Sequence, residues 1–183
     1  MFRRQPRSII WPRRWLMTDE RIGDALWTAL GRLPRGSGVI FRHDGLPEPR
    51  RERLGRAVAR TCRRRALVLG VSRDVGLARR LGAALVHNPA GPAGLMPLSC
   101  SVHDEAEAGR ARASGAALVF VSPVFPTRSH PTHAGLGIDR AADLASRSAA
   151  IAIALGGMDE ARFHALRGRG FDGYAGIDCW IRT

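Results

Sequence analysis

Between Leu118 and Gly137 the sequence reads LVFVSPVFPTRSHPTHAGLG, and its second half gathers groups able to hold an anion or move a proton. Thr127, Arg128, Ser129, His130, Thr132 and His133 put hydroxyls, a guanidinium and two imidazoles into one short loop. Guanidinium forks and hydroxyls bind phosphate oxygens, and imidazoles exchange protons near neutral pH. Pro123 and Pro126 stiffen the approach to this loop, and Gly135 and Gly137 free the backbone after it. The preceding run, Leu118 to Ser122, is apolar, rich in β-branched and aromatic residues, and too short for a helix. It reads as a strand buried on both faces, as in a parallel sheet. A dry strand ending in a polar loop is how a rigid scaffold presents a site.

The elements that must position this loop alternate along the whole chain. Strand-like runs are Trp15 to Asp19, Gly38 to Arg42, Ala66 to Val71, Ala84 to His87, Pro97 to Val102, Leu118 to Ser122, Ala149 to Leu155 and Asp172 to Ile177. Between them lie helix-like runs at Arg21 to Leu33, Arg50 to Arg63, Val75 to Leu81, Asp104 to Ser114, Asp139 to Ser146 and Asp159 to Arg167. Eight strands alternating with helices predict a compact α/β (β/α)₈ TIM barrel. No glycine-rich phosphate fingerprint follows the first strand, which counts against a doubly wound sheet. The barrel is expected to span 15–183, after a basic extension at 1–14, and to lack its last helix, leaving a flank for a partner subunit or the N-terminal tail to cover. Five of the six histidines (His43, His87, His103, His130 and His133) fall at or just after predicted strand ends. A barrel collects those ends on its catalytic face.

Composition sets limits. With 183 residues and 45% hydrophobic content, the chain suits one well-filled domain and not a disordered one. Its apolar runs are too short to cross a bilayer, and no apolar core follows the basic N-terminus, so a cytoplasmic protein without a membrane role is expected. Cys62, Cys100 and Cys179 lie far apart without metal-ligand spacing and read as reduced thiols. The net charge is +13 and all 29 basic residues are arginine, with no lysine anywhere. The arginines scatter over helix-like segments and form no dense stripe with interleaved aromatics, which argues against nucleic acid as the partner.

Several ordered motifs then resemble one family. Ser122-Pro123-Val124-Phe125-Pro126-Thr127 with Gly135-Leu136-Gly137 is similar to the GPVFPT…K…GLG signature of the thiamine phosphate synthase/TenI family. Met17-Thr18-Asp19 resembles the VTD of its first strand, Leu98 to His103 its SVH segment, Ala154 to Met158 its AIGGM, and Gly170 to Ala175 its GADGVAV. The resemblance implies transfer of a hydroxymethylpyrimidine from its pyrophosphate to a thiazole phosphate in thiamine biosynthesis, with Mg²⁺ assisting departure of pyrophosphate.

The matching positions depart from that pattern. QLREK becomes Ile40-Phe41-Arg42-His43-Asp44, the ND pair becomes Ser72-Arg73, the sixth-loop lysine becomes His130, and the terminal serine becomes Asp178. No metal-ligand set is expected among these residues, and Mg²⁺ is implied only if synthase chemistry is retained. Phosphate binding is expected from Arg42, Arg73, Thr127, Arg128, Ser129, Gly156 and Gly157, with Ser101, His103 and His130 as catalytic candidates. The arginines have an alternative reading as rim cations paired with Asp44, Asp74 and Asp178. Ser101-Val102-His103 is also similar to the TenI branch, which implies a thiazole tautomerase with His103 as acid and base. A third reading is a non-catalytic barrel that binds a thiamine-related ligand or a partner protein. The expected partners are small phosphorylated substrates, with a homo-oligomer also compatible.

Overall fold

The computed structural model describes residues 10–127 and 134–181. Eight strands run parallel in chain order and close on themselves: β1 (Arg14–Met17), β2 (Gly38–Phe41), β3 (Val68–Ser72), β4 (Leu85–His87), β5 (Leu98–Val102), β6 (Leu118–Val121), β7 (Ile151–Leu155) and β8 (Gly173–Gly176). Closure is made by β1 against β8, with Arg14 opposite Tyr174 and Leu16 opposite Gly176. The helices are α1 (Ala25–Arg32), α2 (Glu48–Arg65), α3 (Val75–Leu81), α4 (Glu105–Ala113), α5 (Ile138–Ser148), α6 (Glu160–Ala165) and α7 (Asp178–Ile181). The chain is a (β/α)₈ barrel, as the alternation predicts.

Side-chain alternation along each strand sorts two cores. Leu16, Val39, Phe41, Val71, Val119 and Val121 face outward onto the helices. Trp15, Met17, Ile40, Leu85, Leu118, Phe120, Ile153 and Ala175 fill the barrel itself. Trp15 meets the Phe120 ring edge-on at 5.6 Å between centroids. Its indole fits because the neighbouring strand offers Gly38, where a Cβ would fall inside the Trp15 ring. Below it, Pro12 O accepts from Trp15 Nε1 (2.7 Å), and Trp11 packs on the same interior cluster.

Aspartates set several helix starts just beyond the strands. Asp74, Asp104 and Asp159 accept from the backbone N–H groups of Leu77, Glu107 and Arg162, each at 2.8 Å. Such N-caps satisfy donors that the first turn leaves open. The helix expected over Arg21 to Leu33 is divided: one 3₁₀ turn (Glu20–Ile22) ends at Gly23, whose combination of φ 50° and ψ −137° suits glycine alone, and α1 begins afresh. After β8 the described residues form the turn α7. Its Trp180 is buried, donates from Nε1 to Trp15 O (3.0 Å) and stacks on Tyr174. The chain therefore covers the β1–β8 seam with its own residues. Between β4 and β5 the connection 88–97 contains no helix. Among the described residues no helix is long and apolar enough to cross a membrane.

Gly38→Ala is expected to destabilise the barrel by about 1–3 kcal/mol, the usual cost of overpacking a filled core. Urea unfolding followed by tryptophan fluorescence measures it; an unchanged midpoint would show that Trp15 relocates freely.

Candidate active site

The C-terminal ends of β2 to β5 bring a set of polar groups around one buried imidazole. His87, the last residue of β4, is only 2% exposed. Its Nδ1 lies 3.0 Å from Ser99 Oγ and its Nε2 lies 3.3 Å from Ser101 Oγ. Ser99 and Ser101 are two apart on β5, so both project from the same strand face. Phe120 meets the imidazole edge-on at 5.3 Å. Asn88, held at φ 44°, accepts from the Ser101 backbone N–H (2.8 Å) and donates from Nδ2 to Ser101 Oγ (3.0 Å). Burial, reinforced by the charges of Arg42 and His103, drives His87 down to about 3 from an ordinary 6.5.

His103 follows β5 directly and has an exposed side chain. Glu107, one helical turn on, lies with Oε2 2.7 Å from its Nδ1 and accepts its backbone N–H at 2.8 Å. The Asp104 cap holds Glu107 in this position through the Glu107 backbone N–H. On the other side, the Arg42 backbone N–H donates to Thr18 Oγ1 (3.1 Å), and its guanidinium stands 3.9 Å from Asp19. Arg73 is exposed, sits at φ 63°, and donates its backbone N–H to His87 O (2.8 Å). Arg42, Arg73, Ser101 and His103 thus all lie about His87.

The other candidates form a second group. Val124 N–H donates to Leu155 O (2.8 Å) and Phe125 N–H to Gly156 O (3.2 Å), so the loop after β6 lies along the end of β7. A Cβ at Gly156 would sit 2.6 Å from Pro123 Cα, and one at Gly157 would sit 2.7 Å from Pro126 O. Close approach of this loop, together with φ of 91° at Gly156 and 61° at Gly157, requires glycine at both positions. Thr127 lies at its far end; Arg128, Ser129 and His130 lie outside the described residues.

His43 turns out to be a packing residue. It is 4% exposed, stacked on Phe41, with Nδ1 3.1 Å from Thr18 Oγ1. Asp44 accepts from Ser72 Oγ (2.8 Å) and from Arg51 Nη2 (2.6 Å). Their cleft of about 230 Å³ is shared with Glu52, Asp74 and Arg80 and lies outside the His87 group. Asp178 opens α7 and adds its charge to that of Asp19 in holding Arg21 protonated.

Among the described residues, those at the β3 end do not make a ligand set for Mg²⁺. Arg73 puts a cation where the resemblance places a carboxylate, and Asp74 is taken up capping α3, 3.9 Å from Arg51. Among the described residues, no group of three or more His, Cys, Asp or Glu side chains could hold a metal ion. The carboxylates named in the rim-cation reading are placed otherwise: Arg42 has Asp19 beside it, and Asp44 and Asp74 face Arg51.

Two comparisons bear on these positions. The family model described as thiamine monophosphate synthase matches residues 17–179. The chain belongs to the thiamine monophosphate synthase/TenI family. Within that family, a thiamine phosphate pyrophosphorylase from Pyrococcus furiosus has a similar structure, with a TM-score of 0.77 at 20% identity over 93% of this chain and 88% of that one. More distant barrels include FabK from Thermotoga maritima (TM-score 0.65, 14% identity, 95% of this chain and 63% of that one). Another is the putative copper homeostasis protein CutC from Streptococcus agalactiae (TM-score 0.63, 11% identity, 89% and 97%). At these identities the likeness is one of fold. No curated protein sequence matches the chain.

Signals for Ser99 and Glu107 were present in the sequence: the two-residue spacing of Ser99 and Ser101, and the four-residue spacing of His103 and Glu107 on a helix start. Nothing local pointed to Asn88, whose role comes from pairing across to β5.

Acid stability tests the buried imidazoles. His87 is held near 3, and burial also lowers His43, so the unfolded chain takes up protons near 6.5 while the folded chain resists them. Proton uptake then favours unfolding. This stability is fully present above about pH 6.5 and falls as pH drops toward about 3. Urea midpoints should fall between pH ~7 and pH ~5, before most carboxylates titrate, and His43→Gln should flatten that slope.

Proposed function

We propose that this family member acts on a phosphorylated thiazole by proton transfer, with His103 as acid and base. The observation that carries this reading is the Glu107 carboxylate 2.7 Å from His103 Nδ1. A carboxylate there keeps the proton on Nδ1, fixes the ring plane and makes Nε2 the basic nitrogen. Nε2 belongs to a half-exposed side chain at the mouth of the barrel. In the reaction the imidazole takes a proton from one position of the substrate and returns it at another. No atom is gained or lost, and no metal is required. Arg42, beside the same cluster, offers a guanidinium to the substrate phosphate, with Thr127, Arg128 and Ser129 as further donors of the loop after β6.

A second reading, synthase-type transfer of a pyrimidine from its pyrophosphate, is favoured by the retained Arg42 and by the Ser122–Thr127 loop against β7. Among the described residues it lacks the carboxylates that would hold Mg²⁺ for the departing pyrophosphate at the β3 end, where Arg73 stands instead. A barrel that binds a thiamine-related ligand without turnover is what remains if neither reaction occurs.

Isomerisation of a thiazole phosphate, followed by NMR in deuterated buffer, separates these readings. His103→Ala is expected to lower the rate by about 10²–10⁴-fold, the usual worth of a positioned acid–base group. Glu107→Gln should lower it less, and a chelator should leave it unchanged. Chelator-sensitive formation of thiamine phosphate from the two separate precursors would replace this reading with the synthase.

A further inference from the structure

The hydrogen-bond partners at the β4–β5 end settle where each proton lies. A backbone N–H can only donate, so the Asn88 atom 2.8 Å from Ser101 N is the carbonyl oxygen. The Asn88 atom 3.0 Å from Ser101 Oγ is therefore the amide nitrogen, and it donates. Ser99 is fully buried, and among the described residues its hydroxyl has one side-chain partner, His87 Nδ1 at 3.0 Å. A buried hydroxyl proton left without an acceptor costs more than an idle lone pair. Ser99 thus donates to Nδ1. The imidazole is neutral, because it is buried against apolar Phe120 and two hydroxyls, and the Arg42 charge further disfavours protonation. Its single proton then sits on Nε2 and points at Ser101 Oγ.

We propose that His87 and Asn88 are positioning residues that fill both lone pairs of Ser101, so that its hydroxyl is a one-way donor into the barrel mouth and reads a hydrogen-bond acceptor on the ligand. With Nε2–H and Nδ2–H both directed at Oγ, the Ser101 proton has no inward acceptor left. A serine in this state is neither a nucleophile nor a base. It recognises an oxyanion or an unprotonated ring nitrogen and rejects a donor. That the acceptor is a phosphate oxygen rests on the function proposed above; the proton placement does not.

Long-range ¹H–¹⁵N correlation spectra of the unmodified ¹⁵N-labelled protein report the tautomer directly. The expected result is the Nε2–H form of His87, unchanged between about pH 5 and 8. The Nδ1–H form, or titration in that range, overturns the assignment. Inorganic phosphate serves as the probe for the ligand half. Ser101→Ala is expected to weaken phosphate about tenfold, the worth of one bond to a charged acceptor, while the His87 signals keep the Nε2–H pattern. Equal phosphate affinity in the two proteins, or no binding to either, overturns the phosphate half even if thiazole turnover is observed. Absence of thiazole turnover with the Nε2–H form present overturns only the reaction proposed above.

Discussion

Everything in this molecule is arranged around closing a short-stranded barrel on one indole. Trp15 fills the interior only because Gly38 leaves the space, and Phe120 bears on it edge-to-face. Phe120 in turn meets His87 edge-on, and His87 holds Ser101. Core packing and the polar site are therefore one continuous stack, from the barrel floor to its mouth. The polar members survive in a dry interior because each finds a partner within hydrogen-bond distance, which is the condition for burying such groups. The precision of the mouth comes from the aromatic packing beneath it.

Charge is handled locally. A chain of net +13 supplied with arginine alone must either expose its cations or pair them. Many are exposed, Arg73 at the β3 end among them, but several near the strand ends meet carboxylates: Arg21 and Arg42 at Asp19, Arg51 at Asp44. Arg51 is the most enclosed of these, with 11% of its side chain exposed, and it also donates to Ser72 O. Such pairs fix loops more than they add stability. The absence of lysine also removes any side-chain amine able to condense with a carbonyl substrate.

The fold was largely legible in the sequence because apolar strands and aspartate-started helices alternate with little interruption. Val75–Leu81 was bounded correctly from its pattern, since Asp74 caps it and Gly82 ends it. The first helix was not, because its periodicity continues across Gly23 while the backbone does not. Of the site, His103 and Ser101 were visible as residues. The pairings that define them were only half visible: Glu107 is local, whereas Asn88 and His87 reach Ser101 through the β4–β5 register. Asp44 looked like a lost lysine and is an anchor instead, because Ser72 and Arg51 approach from other elements. Side-chain partners across a sheet are set by register, which local sequence does not encode.

The bond from Trp180 to Trp15 O joins residues 165 positions apart. Its cost in chain entropy is met only after the intervening ladder has assembled, because β1 and β8 are brought together by the strands between them. The seam between β1 and β8 is thus the natural place for the barrel to zip shut late. When it opens, the indole at the base of the Trp15–Phe120–His87 stack loses its confinement. Backbone exchange at the two ends of the chain and order at the substrate mouth are, by this construction, the same event seen from opposite sides of the barrel.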